Sequence, residues 1–91
     1  MTLARGTIEM LELADAGPRG FEEFTQIKIG GKKLSSATVS KRLKELVALK
    51  ILGETVVHSA SGRKIVGYQT TARGKKILEL AREIYREMEG K

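Results

Sequence analysis

Residues 35–47 read SSATVSKRLKELV. Val39, Leu43, Leu46 and Val47 recur at helical spacing, and at about 100° per residue they gather on one stripe. The opposite side holds Ala37, Lys41, Lys44 and Ala48, with Thr38, Ser40 and Glu45 nearer the flanks. Arg42 sits at the edge of the stripe, where a long side chain can snorkel outward. Ser35 and Ser36 are both good N-cap residues. The stretch predicts a helix from one of them to about Leu49. Its polar side is small and cationic, unlike the Glu/Lys alternation of an ordinary solvated helix, and Glu45 is its one acid.

On the N-terminal side, Leu3, Thr7, Met10, Leu11 and Ala14 follow a helical period and predict a first helix over about 3–15, stopped by Gly17-Pro18. Phe21, Phe24 and Ile27 space as one face of a second helix, about 21–28. Gly30-Gly31 break it, and Lys32 and Lys33 fall in the turn. Beyond the opening stretch the period changes. Leu52–His58 is rich in β-branched residues, Ser59–Lys64 is a polar tip, and Ile65–Thr70 reads as a returning strand, together a β-hairpin.

Thr71 is placed to cap a final helix, about 72–89. Within it Ile77, Ala81, Ile84 and Met88 alternate spacings of four and three, the seam of a short coiled coil. Leu80 widens one side of the seam, and Leu78 and Tyr85 flank the other. The stripe either faces a second copy of the chain or folds back on its own domain. With 91 residues the chain has few places to bury such a stripe, which favours the first reading.

The net charge of +6 is unevenly spread. Residues 1–27 sum to −3, 28–50 to +6, 51–70 to +1 and 71–91 to +2. A positive field focused around the opening stretch points to a polyanion, nucleic acid first. There is no Cys, which excludes a disulfide framework and a thiol switch. The lone His58 reads as an ordinary strand residue, and no metal-ligand cluster or cofactor motif is visible. No defensible acid–base pair or nucleophile dyad suggests an enzyme. No apolar run long enough for a membrane span occurs, and no signal-peptide pattern opens the chain. A cytoplasmic protein is the expectation.

The element order is helix, helix, turn, helix, hairpin, helix. The fold class that follows is mainly α with a small β-hairpin: a winged helix-turn-helix over 1–70, with its recognition helix at about 36–49 and wing at about 52–70, and a C-terminal dimerisation helix over 71–91. LSSATVSKRLKELVALKIL (34–52) and YQTTARGKKIL (68–78) carry a resemblance to winged helix-turn-helix transcription regulators of the broad MarR, ArsR, PadR and HxlR kind. The first is similar to the family's recognition helix with its approach to the wing. The second is similar to its strand-to-helix junction of Tyr, Thr and a Gly three residues on. One departure is Lys50, where such proteins usually hold Gly after the recognition helix. A Lys there either takes the left-handed conformation, at about 1 kcal/mol, or the helix ends differently with Gly53 taking part.

Physical reasoning about duplex DNA leads to the same residues. A major groove about 12 Å wide admits one helix whose leading end is small. Ser36, Ala37 and Thr38 meet that need, Ser40 lies on the flank, Lys41 and Lys44 reach bases or backbone, and Arg42 reaches a phosphate. Lys32 and Lys33 in the turn, and Arg63 and Lys64 at the wing tip, suit phosphate or minor-groove contact; the bland alternatives are a solvated turn and a blunted hairpin edge. A homodimer would meet through Ile77, Leu80, Ala81, Ile84, Tyr85 and Met88. The competing functions are a low-specificity architectural DNA binder and a protein-interaction winged helix, the second disfavoured by the cationic outward face.

Overall fold

The first helix, α1 (Thr7–Asp15), turns Thr7, Ile8, Met10, Leu11 and Ala14 inward. It starts later than the period of Leu3 predicts. Gly6 takes the left-handed conformation and makes Thr7 the first helical residue. Leu3 itself lies outside residues 6–89, which this computed structural model describes. After the Gly17-Pro18 stop comes β1 (Arg19–Gly20), then α2 (Phe21–Phe24), a single turn.

The predicted extension of this second helix to residue 28 does not occur. The N–H groups of Gln26 and Ile27 bond only three residues back, to Glu23 and Phe24, and the chain then straightens. It forms a ribbon from β2 (Lys28–Ile29) and β3 (Lys32–Lys33). The physical reason is Gly30-Gly31, both at positive φ (62° and 83°). Two consecutive left-handed residues make the two-residue turn whose twist matches an antiparallel pair. Lys32 and Lys33, expected in the turn, are thus strand residues. Lys28 stands opposite Lys33 and Ile29 opposite Lys32.

The opening stretch forms α3 (Ser36–Ala48), with Ser35 as its cap: the Ser35 Oγ accepts the Thr38 N–H at 3.1 Å. Val39, Leu43 and Leu46 are buried. At the other end Lys50 has φ 64°. Its N–H bonds to the Val47 carbonyl at 3.0 Å, and the Ile51 N–H to the Leu46 carbonyl at 2.9 Å. That nested pair is a Schellman ending. Of the two endings open from the sequence, Lys50 itself takes the left-handed position, and Gly53 lies in the following strand opposite Gln69. The sharp turn lets Ile51 and Leu52 enter the core at once.

The hairpin consists of β4 (Leu52–His58) and β5 (Lys64–Thr70), in register from Leu52↔Thr70 to His58↔Lys64. Its tip is closed by the Ser59 N–H on the Arg63 carbonyl and the Gly62 N–H on the Ser59 carbonyl, both 2.8 Å. At the base Leu52 is buried and Tyr68 meets Phe24 edge-on at 5.9 Å. The short β1 pairs with β5, giving the order β1-β5-β4.

The last helix, α4 (Ala72–Met88), is capped by Thr71, whose Oγ accepts the Gly74 N–H at 3.1 Å. The same hydroxyl lies 2.6 Å from the Lys50 carbonyl and 2.9 Å from that of Ile51, and the Thr71 N–H donates to Ile51 at 3.1 Å. One residue therefore joins the end of α3, the start of β4 and the first turn of α4. Gly74 is part of this junction, because a Cβ there would run into the Ile51 carbonyl oxygen and lie 2.7 Å from the Thr70 methyl. The spacing of Thr71 and Gly74 noted in the sequence thus has a packing cause.

Leu78 and Ala81 of α4 belong to the same core cluster as Met10 and Leu11 of α1, Phe24 of α2 and Val39 and Leu43 of α3. Lys75–Asp15 at 2.7 Å and Arg82–Glu12 at 3.9 Å tie α4 to α1 at the rim. The result is the expected helix-turn-helix with a β-hairpin wing, plus an edge strand and a second small ribbon.

Candidate nucleic-acid interface

The outward side of α3 carries Ser36, Ala37, Lys41 and Lys44, all exposed, with Thr38 and Ser40 half-buried at its edges. The Thr38 hydroxyl accepts from Ser35 Oγ at 2.9 Å, which leaves its own proton available to a ligand. Among the described residues neither Lys41 nor Lys44 forms an ion pair. Alanine at 37 keeps the leading turn low, so a groove wall can approach the backbone.

The two flanks differ. On one, Ser40, Lys44, Val47 and Ala48 face Phe21, Glu54 and Tyr68 across a groove of about 260 Å³ between α3 and the wing. Burial, and then the charge of Glu54, push the Tyr68 hydroxyl above its ordinary pKa. On the other flank, Thr38 and Arg42 share a cleft with the β2–β3 ribbon. Arg42 does not simply reach outward, as its place beside the stripe suggests. Its side chain is 20% exposed, it pairs with Glu45 at 3.3 Å, and its Nε is buried without a partner.

Arg63 and Lys64 are exposed on the wing. Lys64 lies within β5, opposite His58, and Arg63 alone of the two belongs to the tip. One feature had no expectation from the sequence. Val56 and Val66 face each other across the strands and remain 63% and 53% exposed. Strict alternation along the hairpin puts them on the side shared by Glu54, Tyr68, His58 and Lys64. The signal was present in the β-branched runs, but period alone does not tell which face is covered.

The stripe on α4 divides. Ile77 is half-buried and Ala81 is buried in the domain's own core, alongside Leu78. Leu80, Ile84, Tyr85 and Met88 stay exposed. The expected interface is thereby narrowed to the last three turns, where Leu80, Ile84 and Met88 line an open cleft bordered by Glu83, Arg86 and Glu87. Among the described residues no group of three or more His, Asp or Glu is placed to hold a metal, and no helix is long and apolar enough to cross a membrane.

Neither protein-family models nor curated protein sequences give a match to the chain. Solved structures do. A PadR family transcription regulator from Clostridium difficile R20291 superposes with TM-score 0.80 at 19% identity, over 94% of this chain and 92% of that one. A PadR-like transcription factor from Bacteroides fragilis gives 0.73 at 18% identity, over 91% and 82%. The likeness spans the hairpin and the C-terminal helix as well as the helix-turn-helix. With fewer than one residue in five shared, what the two chains hold in common with this one is architecture, and the chain has the winged helix-turn-helix fold seen in PadR-type transcription regulators.

Proposed function

We propose that this protein is a DNA-binding transcriptional regulator that works as a homodimer. The observation that carries the reading is the outward face of α3, small at its leading end and cationic beyond it, with neither lysine in an ion pair among the described residues. Such a helix fits a major groove by shape and by charge. Thr38 and Ala37 are placed for thymine methyls or base edges, and Lys41 for a base or phosphate at the centre of the face. Lys44, on the wing flank, takes a backbone phosphate. Arg63 and Lys64 carry the wing toward the backbone or minor groove. The neighbours' description as transcription regulators agrees with this role.

Two α3 helices in a dimer joined through the exposed end of α4 would enter successive major grooves, with half-sites about 10 bp apart or a multiple of that. Selection of bound fragments from random duplex DNA tests the whole proposal. A paired motif at such spacing is expected. Recovery of unenriched sequence with tight, salt-dependent binding would instead make the protein an architectural binder. Undetectable duplex binding in low salt, or binding and salt slope unchanged in Lys41→Ala and Arg63→Ala, would overturn the reading.

A further inference from the structure

The sequence puts Lys28 at the end of the second helix and Lys32 and Lys33 in the turn, suited to phosphate contact; the ribbon they form is unforeseen, and its chemistry is unusual. Register places Lys28 directly opposite Lys33, with Lys32 on the other face beside Ile29. Like charges opposite each other on a strand pair are destabilising. None of the three makes an ion pair among the described residues. The ribbon is nevertheless anchored: the Leu34 N–H just after β3 donates to the Ile27 carbonyl just before β2 at 3.2 Å, and Ile29 Cδ1 lies 3.5 Å from where a Cβ on Gly6 would stand. A fixed element that gathers unneutralised cations is complementary to a fixed row of anions.

Its position sharpens this. Around α3, at about 100° per residue, Ser40 and Lys44 fall on one flank and Thr38 and Arg42 on the other. The first flank faces the wing and the second faces the ribbon. Lys32 and Lys33 line the same cleft as Thr38 and Arg42, whose buried Nε has no partner. Two β-ribbons therefore straddle the exposed face of α3.

We propose that the β2–β3 ribbon is a second wing, and that Lys28, Lys32, Lys33 and Arg42 hold backbone phosphates of duplex DNA on the side of α3 away from the β4–β5 hairpin. The protein then clamps both edges of the groove that α3 reads. This rests on the duplex-binding reading above and adds where the second backbone strand is held.

The test uses the full chain, a labelled duplex and fluorescence anisotropy at several salt concentrations, with phosphate-ethylation interference on the same duplex. Changing Lys28→Ala, Lys32→Ala and Lys33→Ala together is expected to lower the log–log salt slope by about 2 to 3, at about 0.9 for each phosphate no longer neutralised. Affinity falls to a similar degree on every sequence. Interference disappears on one flank of the site, and in Arg63→Ala it disappears on the other. The corresponding triple change to Arg keeps the charge and is expected to keep the slope. An unchanged slope in the alanine variant, with Lys41→Ala still weakening binding, overturns the second wing and leaves the DNA reading intact. So does failure of the arginine variant to bind, or disappearance of interference at the same phosphates in the ribbon and Arg63 variants. Absence of duplex binding by the unmodified chain removes both.

Discussion

At position 74 helix propensity and packing point in opposite directions. Alanine in a helix is better than glycine by about 1 kcal/mol. Here its methyl would press on the Ile51 carbonyl and the Thr70 methyl, and overpacking costs about 1–3 kcal/mol even where neighbours are flexible side chains. A backbone carbonyl held by Thr71 yields less, so packing wins. Gly74→Ala is expected to lower the midpoint of urea unfolding by an amount equivalent to about 1–3 kcal/mol; an unchanged or raised midpoint would show that the junction relaxes freely. Lys50 is the reverse case. It holds a left-handed conformation that costs a non-glycine residue about 1–2 kcal/mol, while glycine costs about 0.5–1 kcal/mol in the unfolded chain's entropy. Lys50→Gly is therefore expected to stabilise by about 1 kcal/mol or less, visible as a higher midpoint at constant slope.

Among the elements, α1, α3, the hairpin and α4 were legible in the sequence because each has a period and a punctuation residue: Pro18 after α1, Ser35 before α3, Gly62 in the tip and Thr71 before α4. The β2–β3 ribbon was not. The signal KIGGKK is that of a two-residue hairpin, but two-residue strands are too short to show alternation, and Phe21, Phe24 and Ile27 mimic a longer helix. The edge strand at Arg19–Gly20 likewise lacks any local signal, since its partner lies in distant β5. For the α3 face, residue types and wheel positions were readable; the partial burial of Arg42 was not, because it depends on that unseen ribbon. Packing of α4 on α1 brings a further consequence. Lys75, by its hydrogen bond to Asp15 first and by charge second, holds the Asp15 carboxyl below the ordinary carboxylate value. A depressed folded-state pKa contributes stability above the unfolded value, near 4, and loses it as pH falls through the folded one. Lys75→Met removes the hydrogen bond and the larger of the two charges behind that depression, leaving only Arg82, so acid unfolding followed by circular dichroism should begin at slightly higher pH in the variant. The difference should be small and shrink further in high salt, since the pair is exposed; an unchanged onset at low salt would show that the pair adds nothing to stability.

For the molecule as a whole, charge and apolar surface are segregated. Most of the cationic excess of residues 28–50 lies in the ribbon and α3, while the large exposed apolar side chains, Leu49 at the end of α3 apart, gather on the far end of α4 and at Val56 and Val66 on the wing. A face meant only for water does not carry Leu80, Ile84, Tyr85 and Met88 together. Ile84 is 59% exposed, so Ile84→Glu is expected to leave the helical spectrum unchanged while converting the proposed dimer to a monomer in sedimentation; a variant that sediments as the unmodified chain does would remove α4 from the proposed interface. The junction at Thr71 then acquires a mechanical meaning. It pins the first turn of α4, while Leu78 and Ala81 in the core and the Arg82–Glu12 pair hold the helix further along, so the free arm is only its last two turns, about 9 Å. Through the carbonyls of Lys50 and Ile51 the Thr71 hydroxyl fixes the end of α3 and the start of β4, so three elements share one pinned corner and none of them can tilt there without straining the other two.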